Sequence, residues 1–186
     1  MKAKIEKIMD DPIDDTEMKT YLGQDAKILK YSALKNFKHI DELMPNATDF
    51  IVLLYETSPN EGHWVSVLKY PERFGRSTLE YFDPYAREMD EPLTWNTSSV
   101  NKQLGVVAPY LSQLMNSSGH KLLQNNITYQ HDSPKIETCG RHTIYRILKL
   151  VQHGLKQREY NDHLRLLKAR NPNKTYDEIV SSIINI

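Results

Sequence analysis

The chain contains one cysteine, Cys139, and it stands at the start of an amphipathic stretch. Gly140 follows at once, and then come apolar residues at helical spacing: Ile144, Ile147, Leu148, Val151 and Leu155. Cys139 is therefore expected where a loop feeds the first turn of a buried helix. A helix N-terminus carries about half a positive charge and N–H groups without helical partners, which favour a thiolate over a thiol. The ordinary alternative is a small apolar residue beside a core helix. Two further stretches bear on the choice. Gly62-His63-Trp64 leads into an alternating segment, and Tyr81-Phe82-Asp83-Pro84-Tyr85 closes the next one. If the two segments pair through a turn over Pro71 to Ser77, His63 just before one strand lies beside Asp83 just after the other. A carboxylate there orients the imidazole and favours its charged form. Taken singly, His63 reads as a packed or surface histidine, and Asp83 before Pro84 as a turn residue. Together with Cys139 they are the parts of a cysteine peptidase. An ionised thiol attacks a carbonyl, the imidazole carries the proton to the leaving amine, and the acid holds the imidazole.

The remaining need is a donor for the developing oxyanion. Gln130, nine residues before Cys139, is expected at the end of a short strand, Ile127 to Tyr129, with its amide turned toward the same pocket. The backbone N–H of Cys139 is the second donor. Gln124 and the hydroxyl of Ser133 are the competing candidates. His142 is a second candidate base, one helical turn from Cys139, but no carboxylate is evident to orient it. Cys139-x-x-His142 has a zinc-like gap, yet a closed structural site needs four ligands and no second cysteine exists. No metal or cofactor is expected. Arg141 and His142 read as structural residues at the helix start, Arg146 as part of a solvated face, and Tyr81 and Tyr85 as packing residues. Trp95 has no assignment.

The elements that must position these residues follow from the chain in order. Asp14 to Glu17 has the form of a capping box, and the helix it opens stops at Gly23. Tyr31–Phe37 and Ile40–Met44 read as short helical pieces. Asp49–Glu56 reads as a buried strand, Trp64–Tyr70 as an alternating strand and Thr78–Phe82 as its return. Val100–Met115 reads as helix with a weak point at Pro109. A helix over Arg158–Arg170 precedes a last one capped by Thr175 and Glu178, with Ile179, Val180, Ile183 and Ile184 facing in. The fold class is α+β, a small mixed or antiparallel sheet packed by helices. A chain of 186 residues suits one domain, here a helical front part over 1–48 and a catalytic core with C-terminal helices over 49–186. Charge is balanced, 24 basic residues against 24 acidic, which gives no sign of a nucleic-acid or anionic-membrane partner. The longest apolar run, Phe50 to Tyr55, is too short to span a bilayer. No signal-peptide apolar region is evident. A single cysteine suits a reducing, intracellular setting.

The order Gly62-His63-Trp64, then Phe82-Asp83-Pro84-Tyr85, then Gln130, then Thr138-Cys139-Gly140-Arg141-His142 resembles the adenain/Ulp1-like cysteine peptidases. The likeness covers roughly Ile51 to Val151. It is greatest to the compact maturation proteases of large DNA viruses, virophages and related mobile elements. The resemblance implies His63 as base, Asp83 as orienting acid, Gln130 as oxyanion residue and Cys139 as nucleophile. It also implies that Trp64 walls a narrow channel for small residues, Gly or Ala, before the cut. Two departures stand out: the Gln-to-Cys gap is longer than the family's, and Ala86 replaces a frequent glycine. By resemblance the substrate is a viral structural or precursor protein, cut during particle maturation. The setting would be the host cytoplasm or virus factory and the virion. Some relatives use a peptide or DNA activator, and here any such partner binds non-covalently. A deconjugase for ubiquitin-like proteins and a catalytically inactive binding module are the other readings. A monomer is favoured.

Overall fold

Residues 2–185 are described by the computed structural model. They fall into two compact units that the chain visits alternately. One unit comprises Lys27–Asp83 and Arg87–Asn125, and holds the whole sheet. Its five strands lie in sequence order. β1 (Ile28–Lys30) pairs parallel with β2 (Asp49–Ser58), which pairs antiparallel with β3 (Glu61–Pro71). β3 pairs antiparallel with β4 (Ser77–Phe82), and β4 pairs parallel with β5 (Lys121–Gln124). Ile51, Leu53 and Tyr55 of β2 alternate along the strand. They pack with Val65, Val67, Leu79 and Tyr81 into a core closed by Leu34, Ile40, Leu111 and Met115. A single acid ties this layer together. Asp90 accepts from the hydroxyls of Tyr31 (2.7 Å) and Tyr55 (3.1 Å) and from the backbone N–H of Ser112 (3.0 Å).

The second unit comprises Met1–Ala26, Pro84–Ala86 and Asn126–Ile186, and is built on helices. They are α1 (Lys2–Met9), α2 (Asp15–Leu22), α6 (Cys139–His153), α7 (Gln157–Arg170) and α8 (Tyr176–Ile183). Both expected capping boxes form, Asp14 with Glu17 and Thr175 with Glu178. α6 ends at Gly154, whose φ of 66° is the left-handed closure glycine supplies. The helix is enclosed on every side over Cys139–Ile147 and emerges in its last turn.

Several expectations change here. The front part is not purely helical, since β1 joins the sheet; the second piece of that region is α3 (Ile40–Leu43), and Tyr31–Asn36 forms a 3-10 helix. His63 lies inside β3 rather than before it. Val100–Met115 splits into α4 (Ser98–Gln103) and α5 (Tyr110–Asn116), because Gly105 at φ 80° and Pro109 interrupt it. No strand forms over Ile127–Tyr129. The N–H groups of Tyr129 and Gln130 both donate to the Pro84 carbonyl (2.9 and 3.0 Å) instead of a sheet ladder, and the last strand is β5, ending at Gln124. Arg146 is buried, donating to the Leu155 carbonyl (3.0 Å) with its guanidinium 4.8 Å from the Tyr160 ring centre. Val151 and Ile183 are exposed, each in the final turn of its helix. No helix among the described residues is long and apolar enough to cross a membrane.

Candidate active site

In the sheet unit, β3 and β4 deliver His63 and Asp83 to one end of the hairpin. The ladder runs from Pro71 opposite Ser77 to Ser66 opposite Phe82, so Asp83 continues past the last paired residue toward His63. His63 Nε2 lies 2.8 Å from Asp83 Oδ1, and both residues are buried. Asn125, just past β5, grips Asp83 by its backbone. It accepts from the Asp83 N–H (2.8 Å) and donates to the Asp83 carbonyl (2.7 Å). Gly62 sets the depth of the neighbouring residue. A Cβ there would stand 1.9 Å from the Tyr55 carbonyl oxygen, so only glycine lets β2 and β3 close beside His63. Trp64 is paired with Leu54 in the sheet and is nearly buried. Trp95, which sequence reasoning left without a role, lies with its ring centre 5.4 Å from that of His63 and is 42% exposed.

In the helical unit, Cys139 is the first residue of α6 and is buried. Its approach is held by Asp177 of α8. Asp177 Oδ1 accepts from the Thr138 hydroxyl (2.5 Å) and bonds His142 Nε2 (3.0 Å), while Oδ2 accepts from the His131 N–H (3.0 Å). Burial alone would raise the Asp177 carboxyl. The hydrogen bond and charge of His142, the Thr138 hydroxyl and the His131 N–H outweigh it and hold the group below the ordinary carboxylate value. His142 thus has an orienting carboxylate after all, 35 residues away in sequence. The ring has no exposed surface, and its Nδ1 has no hydrogen-bond partner among the described residues. That environment suits a strut behind the Cys139 turn. Arg141 is a second strut, bonded to the carbonyls of Asp11 (2.5 Å) and Ile184 (3.2 Å).

Gln130 is also in this unit and 1% exposed. Its Nε2 donates to the Ile136 carbonyl (2.9 Å) and to the Tyr85 hydroxyl (3.0 Å), and Oε1 has no hydrogen-bond partner among the described residues. Tyr85 is half-buried. Burial raises its phenol well above the ordinary value, and the charges of Cys139, Asp132, Glu137 and Asp177 add to that. Of the competing donors, Gln124 ends β5 in the sheet unit and its amide donates to the Arg87 carbonyl (3.1 Å). The Ser133 hydroxyl accepts from the Lys135 N–H (3.5 Å). Among the described residues, no group of three or more His, Cys, Asp or Glu is placed to hold a metal ion. Asn125, Asp177 and Trp95 are the residues the sequence did not disclose. Only Trp95, an isolated aromatic in a polar loop, carried a signal.

No family model matches the chain. Among solved structures, the fold resembles an ASFV protease, with TM-score 0.46 and 17% identity, covering 76% of this chain and 59% of that one. A de-sumoylating protease aligns at TM-score 0.44 and 11% identity, over 98% of this chain and 83% of that one. ChlaDub1 from Chlamydia trachomatis aligns at TM-score 0.41 and 15% identity, over 99% and 75%. At the sequence level, the uncharacterized protein V9 of Sputnik virophage is 30% identical over 127 residues, which is 68% of this chain and 70% of that protein. The chain belongs to the family of this virophage protein.

Proposed function

We propose that the chain is a cysteine endopeptidase of the adenain/Ulp1-like kind. The observation that carries the reading is the buried His63–Asp83 pair at 2.8 Å. It is supported by the placement of the chain's one cysteine at the first residue of a buried helix. Cys139 is the nucleophile, His63 the base and acid, Asp83 the orienting group, and Gln130 belongs to the oxyanion pocket. With Nε2 on Asp83, His63 exchanges its proton through Nδ1. The Cys139 sulfur adds to the scissile carbonyl, and His63 gives its proton to the leaving amine. Water then hydrolyses the thioester, with His63 accepting the water proton and returning it to the thiol. His142 is a weaker base candidate, because Asp177 holds it inside the core.

The substrate is a protein cut after small residues, Gly or Ala, with Trp64 walling the channel before the scissile bond. The virophage relative favours viral structural or precursor proteins, processed during maturation in the infected cell or particle. A deconjugase for ubiquitin-like proteins is the second reading, since such substrates also end in small residues. Two probes separate them: a peptide vinyl sulfone ending in Gly-Gly, and a full-length ubiquitin-like vinyl sulfone. Labelling of Cys139 by the peptide supports a processing endopeptidase. Strong preference for the folded probe supports a deconjugase. Labelling by neither overturns the peptidase reading in favour of an inactive binding module.

A further inference from the structure

The far end of the β3–β4 hairpin carries groups that the fold does not use. The turn there, Arg73–Gly75, lies at the opposite end from His63 and Asp83. The six residues of β4 separate the two ends, about 20 Å of extended chain. Phe74 stands at the tip with φ 63° and ψ 35°, the left-handed region that glycine or asparagine occupies at less cost. Its ring is 99% exposed, so no core packing offsets that conformation. Other groups close the turn. The Glu72 N–H donates to the Arg76 carbonyl (2.7 Å), and the Thr78 hydroxyl donates to the Glu72 carboxylate (3.0 Å). Beside the tip lies an open cleft of about 580 Å³. β4 and β5 run parallel with Thr78 opposite Lys121, so both strands begin here and the residues leading into them form the walls. Arg76 and Ser77 come from one side, and Ser118, His120 and Lys121 from the other. Gly75 and Gly119 complete the lining, each with nothing within 4 Å of where a Cβ would stand.

The cleft offers cations without matching anions of their own. Arg76 and Lys121 are exposed, and neither side chain enters an ion pair or a hydrogen bond among the described residues. His120 bonds Asp41 (3.0 Å), but that carboxylate also accepts from Lys69 (2.5 Å), so its charge is already matched. The Ser118 hydroxyl donates to the Met115 carbonyl (2.7 Å). We infer that this cleft and Phe74 form a docking site for an acidic segment of a partner protein, its carboxylates facing Arg76 and Lys121 and an apolar side chain covering the Phe74 ring. Aromatic residues and arginines carry much of the binding energy at protein interfaces, and opposite charge fixes the register. A peptide suits the site better than other polyanions do. Glu72 in the turn and Asp41 on His120 interrupt the cations, which an unbroken row of phosphates would meet and spaced carboxylates avoid. A membrane holds a protein through buried apolar area as well as charge, and the tip supplies a single ring. Docking here requires no chemistry at Cys139 and stands apart from the peptidase reading.

The test is fluorescence anisotropy of the full chain with a labelled Gly-Ser peptide that carries a run of Glu beside one Leu. Wild type should bind it saturably, with an affinity that falls as salt rises. Phe74→Asn should weaken binding about tenfold or more, and so should Arg76→Ser combined with Lys121→Ser. Neither variant should lower Tm. Asn accepts a left-handed φ, and the side chains of Arg76 and Lys121 hold nothing among the described residues. A ring kept only for the fold would show the reverse, with Tm lost and affinity kept, and that result overturns the proposal. Three further results overturn it: no saturable binding by wild type, binding that both variants leave within about twofold of wild type, or equal binding of a control peptide with Lys in place of Glu. Tighter binding to single-stranded DNA or to phosphatidylserine vesicles than to the acidic peptide would overturn the choice of a protein segment.

Discussion

Asp177 offers the most demanding quantitative test, because one carboxylate holds three groups around the Cys139 turn. Hydrogen bonds to a charged acceptor contribute about 1.5–3 kcal/mol each, so three sum to roughly 4.5–9. They share one acceptor and are not additive. Breaking a buried ion pair by removing one partner costs about 3–5 kcal/mol, and that is the expected loss for Asp177→Ala. For a chain of this size each kcal/mol moves Tm by about 2–4 °C, so a drop of about 6–20 °C follows. Thr138→Ala removes one of the three bonds and should cost about 1.5–3 kcal/mol. The pH dependence has a definite sign. The folded Asp177 carboxyl lies below its ordinary value of ~3.9, so its contribution is fully present above that pH. It is lost as pH falls through the depressed folded value. The part of the gap between wild type and Asp177→Asn that comes from this carboxylate should therefore shrink below about pH 4. Urea unfolding should be followed by both far-UV circular dichroism and tryptophan fluorescence. Trp64 and Trp95 both lie in the sheet unit, whereas Asp177 lies in the helical one. Coincident curves mean that the chain unfolds as one. A loss below about 1 kcal/mol for Asp177→Ala, or a difference from Asp177→Asn that does not change in acid, refutes the reasoning.

Cys139→Ala should abolish peptide cleavage and iodoacetamide labelling without lowering Tm, and residual cleavage would remove the assignment of the nucleophile. His63→Ala should match it in severity and Asp83→Ala should be milder, as measured by kcat; His142→Ala should lose stability before it loses chemistry, and the reverse order would exchange the two bases. Gly62→Ala should unfold or inactivate the protein, because its Cβ would stand 1.9 Å from the Tyr55 carbonyl oxygen; a normal Tm with normal turnover would contradict the packing. Arg146→Met should cost about 1–3 kcal/mol in urea, since the Leu155 carbonyl loses its donor and the Tyr160 ring its cation.

The His63–Asp83 contact and the place of Cys139 at a helix start were legible for a local reason. A hairpin fixes which residues meet at its end, so the neighbours of His63 follow from counting along two strands, and helical periodicity alone places Cys139 at a helix start. What escaped depends on contacts between distant segments. Asp177 stands in the first turn of α8, where an acid reads as a favourable partner for the helix dipole, and nothing local says that it reaches back to His142. Asn125 sits past a short strand and grips backbone rather than a side chain, which leaves no pattern. The supposed strand at Ile127 failed because a β-branched run has no ladder of its own, and here a proline carbonyl took its N–H groups. β1 has three residues, too few to show a period. Charge patterning points Arg146 to solvent because it weighs composition and does not see the Tyr160 ring or the Leu155 carbonyl.

The alternation of the chain between its two units also sets an order of manufacture. All of the sheet unit lies between Lys27 and Asn125, so every strand has been synthesised before Cys139 is added. The helical unit joins the first 26 residues to those after Asn125, and α1 and α2 rest on α8 and α6, which come later. At roughly 5–20 residues per second, α2 waits several seconds with Met18, fully buried in the finished fold, uncovered. The nascent chain thus owns its imidazole and carboxylate early and its thiol late. A nascent chain stopped just past β5 carries His63 and Asp83 but not Cys139.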